Sequence, residues 1–188
     1  LIEQGSVIVY PTETCYGLGC DVFHADAVAR ILEIKKRQQQ KTLILLMHDI
    51  AMAMEYVQWN ESLEKLAERY WPGAVTVVAP VKEGISFPNG IVHENGTIAF
   101  RVTSHPLASR LIGLLGKPLV STSANISSFE SPYDVRYVEE MFAHEAVQPD
   151  LIIDAGDLPH RAPSTIVRVF SNGDIETIRQ GDTIVSRV

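Results

Sequence analysis

Short runs of β-branched and aliphatic residues recur along this chain, separated by stretches whose apolar positions repeat at helical spacing. Runs at 7–10, 43–46, 75–78, 98–102, 119–120, 151–153 and 165–169 predict strands. Between them, 25–36 places Val28, Ile31 and Leu32 on one face, and 62–70 does the same with Leu63 and Leu66. Together with 106–115 and 134–142 these predict helices, and the alternation makes the class α/β. Near the end, Ser171-Asn172-Gly173-Asp174 supplies an Asn-Gly turn between 166–170 and 175–179, so a hairpin and a mixed sheet are expected.

No internal repeat or Gly/Ser linker divides the chain, and the segment 82–96, with its three glycines, reads as a covering loop. A chain of 188 residues buries roughly 70% of its unfolded surface, so 1–188 is read as one domain. It starts Leu1-Ile2-Glu3-Gln4-Gly5, with no methionine and directly on what reads as the end of a helix, which leaves the native N-terminus incomplete on this reading.

Charge narrows the choice of partner. A net charge of −7 argues against a surface coated with nucleic-acid contacts, because phosphate-backbone affinity comes from clustered Lys and Arg. The one dense positive group, Lys35, Lys36, Arg37 and Lys41, suits the phosphates of a nucleotide better than a long duplex. Cys15 and Cys20 are too few for a disulfide scaffold, and no basic leader or apolar run of membrane-spanning length is present; the expected setting is cytoplasmic.

Several chemistries lack their residues. Gly113 and Gly116-Lys117-Pro118 do not make a Walker loop, and Gly17-Leu18-Gly19 is followed by Val22 where a dinucleotide fingerprint needs a third glycine. No G-x-S-x-G elbow occurs, and the six histidines show no metal-ligand spacing. Cys15 reads as a small buried hydrophobe in preference to a nucleophile.

Three segments combine hydroxyls, charge and turn residues. Tyr10-Pro11-Thr12-Glu13-Thr14-Cys15-Tyr16-Gly17-Leu18-Gly19 closes a strand with a composition that lets backbone approach a small ligand, though a tight turn explains it equally. Lys35-Lys36-Arg37 ends a helix, where cations also offset the helix dipole. Pro118 through Asn125 runs a strand into the hydroxyl-rich turn Ser121-Thr122-Ser123-Ala124-Asn125, the place where ligands settle in open α/β sheets.

In this order, joined by Trp71-Pro72-Gly73, Arg101-Val102, His105-Pro106, Ser164-Thr165-Ile166 and Ile178-Arg179-Gln180-Gly181, the blocks resemble the YrdC/TsaC family of threonylcarbamoyl-AMP synthases from about Gly5 to Gly181. The resemblance implies a twisted mixed sheet flanked by helices around a concave, positively lined cleft. It implies ATP contacts at Lys35 and Arg37 (the K-x-R pair, also the expected catalytic cations), Ser123 and Asn125 (the S-x-N pair), Thr97, Ser131 and Arg179. Threonine contacts are expected at Thr12, Arg101, Ser121 and Thr165, with Ser164 as the alternative if the register slips by one. The chain departs from long-form members at Gln38, where proline often follows the K-x-R arginine, and at Leu46, where a histidine is often found. Ending at Val188, it matches the short form better.

The implied reaction joins L-threonine, bicarbonate and ATP, with Mg²⁺ on the triphosphate, and releases pyrophosphate. The product serves threonylcarbamoyl-adenosine modification of tRNA, which makes proteins of the transfer machinery expected partners and leaves tRNA contact open. No protein nucleophile is needed, in keeping with the missing triad. The rivals are a non-catalytic module for double-stranded or structured RNA, and a carbamoyl-transfer domain of the kind found in longer chains.

Overall fold

The computed structural model describes residues 1–36 and 43–186. In chain order, the described elements are a 3-10 turn (Ile2–Gln4), β1 (Ile8–Pro11), β2 (Tyr16–Gly19), α1 (Ala25–Ile34), β3 (Ile44–Met47), α2 (Ile50–Tyr56), α3 (Glu61–Tyr70), β4 (Val75–Pro80), β5 (Thr97–Val102), α4 (Pro106–Leu115), β6 (Leu119–Ser123), α5 (Val135–Phe142), β7 (Leu151–Ile152), β8 (Thr165–Val169) and β9 (Ile175–Arg179). The strands form one mixed sheet in the order β7-β1-β2-β6-β3-β5-β4-β8-β9. Among the described strands, three pairs are parallel (β1 with β7, β3 with β5, β4 with β8) and the other five are antiparallel.

Side-chain alternation sorts the strands into two faces. Val7, Val9, Leu45, Met47, Val75, Val77, Phe100, Val120, Val167 and Val169 point to one side and pack with Val28 and Ile31 of α1, Leu63 and Leu66 of α3, and Phe142 of α5 in the main core. Ile8, Tyr10, Leu46 and Leu119 point to the other side, where Ala108 and Ile112 of α4 join them in a smaller core, with Leu107, Leu111 and Leu115 of α4 and Ile2, Met52 and Ile153 packed at its edge. The remainder of that second face carries Thr12, Ile44, Val78, Ala99, Arg101, Ser121, Ser123, Ile166 and Arg168, and it forms the wall of a cavity. The site therefore lies where the helical cover of the second face stops.

Helix boundaries follow local chemistry. Asp49, Asn60 and Asp134 accept hydrogen bonds from the backbone N–H groups of Met52, Leu63 and Tyr137, capping α2, α3 and α5. α4 opens on Pro106 and closes on Gly116 in the left-handed region, φ 66°.

Two elements were not read from the pattern. α2 buries only Ala53 completely, so its apolar stripe is weak. β2 holds Gly17 and Gly19, residues that argue against a strand, yet it pairs with both β1 and β6. A Cβ on Gly19 would lie 2.2 Å from the Val120 carbonyl oxygen and 2.8 Å from Tyr10 Cε1, so the fully buried Tyr10 ring occupies the space that side chains on β2 would need.

Candidate active site

The cavity has a volume of about 1070 Å³, large enough for a nucleotide and a second small substrate. Among its described lining residues Lys35, Lys36, Arg101, Arg161, Arg168 and Arg179 are cationic and none is Asp or Glu. In a chain whose net charge is −7, this is a local reversal of sign, and it favours an anionic ligand.

Lys35 follows the last turn of α1 and is 3% exposed. Its Nζ crosses to the end of β6, donating to the carbonyl oxygens of Ser123 (2.5 Å) and Asn125 (2.7 Å) and to Asn125 Oδ1 (3.0 Å). Ser123 Oγ donates to the same Oδ1 at 2.6 Å, and Asn125 Nδ2 donates to the Phe129 carbonyl at 2.5 Å. Two segments almost ninety positions apart thus converge on one cluster, with the hydroxyls of Ser127, Ser128 and Ser131 beside it on the cavity wall. Burial of an ammonium is tolerated here because several oxygens receive its protons.

Arg101, on β5, meets the loop after β1. Its Nε donates to Glu13 Oε1 at 2.6 Å, and both side chains are almost fully buried, at 5% and 6% exposure. Thr103 Oγ1 donates to the second carboxylate oxygen, also at 2.6 Å. Burial would raise the Glu13 pKa, but the Arg101 charge and the hydrogen bonds from Thr103, backbone and Arg101 outweigh it and hold the carboxyl below the ordinary range. Across the cavity, Arg179 donates from Nε and Nη2 to the Ser164 carbonyl (3.1 and 2.8 Å) and from Nη2 to Ser164 Oγ (3.2 Å). Burial, then the nearby Arg101 charge, lowers the Arg179 pKa, yet a guanidinium stays protonated. Two like charges in one cavity leave a place for a shared anion.

Of the residues expected to bind ligands, Thr12, Lys35, Arg101, Ser121, Ser123, Asn125, Ser131, Ser164 and Arg179 line this cavity. Arg37 lies outside the described residues. Thr97 stands at the start of β5 with its hydroxyl donating to Asn95 Oδ1 at 2.7 Å, and it is not on the cavity wall.

Thr165 does not line this cavity. Its hydroxyl donates to the Thr183 carbonyl (2.5 Å) and accepts from Gly181 N (2.9 Å), on the face of β8 turned away from the cavity. Strand alternation brings Ser164, Ile166 and Arg168 to the cavity instead. Tyr133, Arg161, Arg168 and His93 also line it without having been singled out; for Arg168 the period of two along 164–168 is a usable signal. Cys15 reaches the wall, where burial pushes its thiol up against the opposing pull of Arg101, Thr14, Ser131 and Lys35, a direction that disfavours the thiolate. Tyr133 packs face to face on His160, centroids 4.0 Å apart, and donates its hydroxyl to the Arg161 carbonyl (2.9 Å), which fixes the 153–164 loop against the cavity.

Residues 1–181 match the protein family described as "Telomere recombination" (Sua5/YciO/YrdC). The chain belongs to this family. It is 36% identical over 183 residues to a threonylcarbamoyl-AMP synthase of Aliivibrio fischeri, covering 96% of this chain and 95% of that protein. Its fold is similar to that of Pyrococcus abyssi Sua5 in complex with L-threonine, with a TM-score of 0.83 and 33% identity; the match covers 96% of this chain and 52% of that one, so the chain spans about half of it. Escherichia coli YciO is also similar, with a TM-score of 0.86 at 28% identity over 99% of this chain and 88% of that one.

Proposed function

We propose that this chain is a threonylcarbamoyl-AMP synthase, an ATP-using transferase that makes threonylcarbamoyl-AMP and pyrophosphate from L-threonine, bicarbonate and ATP for tRNA modification. The observation that carries the reading is a cavity whose described charges are all positive, with a buried guanidinium at a hydroxyl-lined wall. That combination suits a triphosphate and an amino acid held side by side.

In this reading the threonine amine adds to bicarbonate to give a carbamate, with loss of water. A carbamate oxygen then forms a bond to the α-phosphorus of ATP as the bond to pyrophosphate breaks. Both steps are driven by placement and charge, and no side chain is covalently modified. Lys35 and Arg37 neutralise phosphate oxygens. Ser123 and Asn125 hold the Lys35 ammonium in place and contact the nucleotide, together with Ser131 and Arg179. Arg101 takes the threonine carboxylate through its planar donors, and Thr12, Ser121 and Ser164 surround the rest of the substrate.

Mg²⁺ enters as the counter-ion of ATP. The described wall offers hydroxyl and carbonyl oxygens and no carboxylate, a donor set that suits an ion held chiefly by phosphate and water. The product is a reactive mixed anhydride, so proteins that pass the threonylcarbamoyl group to tRNA are its consumers, and the cytoplasm is the compartment implied. No helix among the described residues is long and apolar enough to cross a membrane.

Pyrophosphate release from ATP, measured with Mg²⁺ and bicarbonate, tests the reading. Release that rises with added L-threonine supports it; release indifferent to threonine overturns it.

A further inference from the structure

The contact between Glu13 and Arg101 has no place in binding a substrate directly, since Glu13 is not among the residues that line the cavity. It is nevertheless built with care. The loop carrying Glu13 is closed by Thr12, whose Oγ1 donates to the Cys15 carbonyl (2.7 Å) and accepts from the N–H groups of Thr14 (3.2 Å) and Cys15 (3.3 Å). Glu13 then spans two alternate positions of one strand line, taking Arg101 Nε on one oxygen and Thr103 Oγ1 on the other. Thr103 Oγ1 also accepts from His105 N (3.2 Å), which ties the carboxylate to the start of α4.

We infer that Glu13 is a positioning residue: it holds Arg101 by the Nε edge, so that the rest of the guanidinium faces the cavity in one orientation and reads a carboxylate there. The inference rests on the threonine-binding role proposed for Arg101. An unrestrained arginine samples many rotamers, and a carboxylate that selects one of them binds more weakly. An Arg101 with Nε already engaged keeps its Nη donors as the recognition edge. The same restraint discriminates between ligands, because an amide lacks the second anionic oxygen that a fixed fork is shaped to accept.

The test uses the full chain and compares wild type with Glu13→Gln, Glu13→Ala and Thr103→Ala. Dissociation constants for L-threonine and for L-threoninamide are measured by calorimetry, and steady-state constants for both substrates alongside. Gln keeps a carbonyl oxygen for Arg101 Nε, so the threonine constant stays within about threefold of wild type, whereas Ala weakens threonine binding by at least about tenfold. Threoninamide binding changes little in any variant, so the preference for threonine over its amide collapses in Glu13→Ala and falls partway in Thr103→Ala. The ATP KM remains within about twofold. Should Glu13→Ala fail to fold, the Thr103→Ala and Glu13→Gln pair carries the same comparison. A retained preference in a folded Glu13→Ala, or in Thr103→Ala, overturns the inference while leaving the synthase reading intact. Wild-type protein that fails to bind threonine at all overturns both.

Discussion

Ser164 and Thr165 are adjacent in sequence and serve opposite faces of the sheet: Ser164 lines the cavity beside Arg179, and Thr165 is fully buried against the C-terminal segment. Their substitutions should therefore separate. Thr165→Val leaves the Gly181 N–H without its partner and takes one of two donors from the Thr183 carbonyl, which keeps Gln180 Nε2, and is expected to cost about 1–3 kcal/mol in a urea titration. It should leave the threonine KM nearly unchanged. Ser164→Ala takes a partner from the buried Thr76 hydroxyl and from Arg179, so it also costs some stability, but it should raise that KM severalfold, as steady-state kinetics would reveal. The reverse pattern would put Thr165 back in the site.

Asn125 shares Lys35 with Ser123 at a wall free of carboxylates among the described residues. Asn125→Asp changes shape very little but places an anion where phosphate is proposed to bind. The expected result is an ATP KM raised by about tenfold or more, equivalent to about 1.4 kcal/mol, with a smaller effect on threonine. An unchanged ATP KM would remove the Lys35 cluster from nucleotide binding.

Arg101→Lys keeps the charge and loses the planar fork. It should raise the threonine KM by about tenfold, since an ammonium offers no bidentate match to a carboxylate. Kinetics at saturating ATP would show this, and an unaltered KM would exclude Arg101 from the role.

The glycines of β2 differ in what they protect. Alanine at Gly19 would set its Cβ 2.2 Å from a backbone oxygen, a clash that only backbone movement relieves, so a loss of more than about 3 kcal/mol or an insoluble protein is expected. At Gly17 the nearest atoms are Thr12 Cγ2 at 3.1 Å and Ser121 Oγ at 3.4 Å, both cavity side chains. Gly17→Ala should therefore weaken threonine binding more than it lowers stability, as melting curves and kinetics together would show.

Glu13 also sets a pH dependence. Its folded pKa lies below the ordinary value of 4.5, so the folded state favours the carboxylate. The resulting stability is fully present above pH ~4.5 and is lost as the pH falls through the folded pKa. The melting-temperature gap between wild type and Glu13→Gln should be constant above about pH 5.5 and shrink toward pH 3. A gap that widens on acidification would contradict the ion pair.

Much of this arrangement was legible before any coordinates. The β-branched runs gave seven of the strands, because a sheet buried against helices requires apolar residues there, and the Asn172-Gly173 turn gave the eighth, falling between β8 and β9 as expected. The hydroxyl-rich end of β6 and the segment around Thr12 do meet. What periodicity could not supply was contact between distant residues. From its position alone Lys35 is a cation that offsets the dipole at a helix end, and only the structure shows its Nζ buried on β6; Glu13 reads as a turn residue until β5 places Arg101 beside it. β2 was hidden because its glycines make room for Tyr10, a demand set by tertiary packing. Between Thr165 and its alternative Ser164 the sequence left one position open, and on a strand one position is a change of face: Ser164 lines the cavity and Thr165 does not.

The central claim is tested most directly by mass spectrometry of the product formed from ATP, Mg²⁺, L-threonine and heavy-carbon bicarbonate. The account predicts threonylcarbamoyl-AMP carrying the bicarbonate carbon, formed with threonine and far less with serine or valine. A folded, full-length protein that yields no such adduct, or one that forms without threonine, would contradict it.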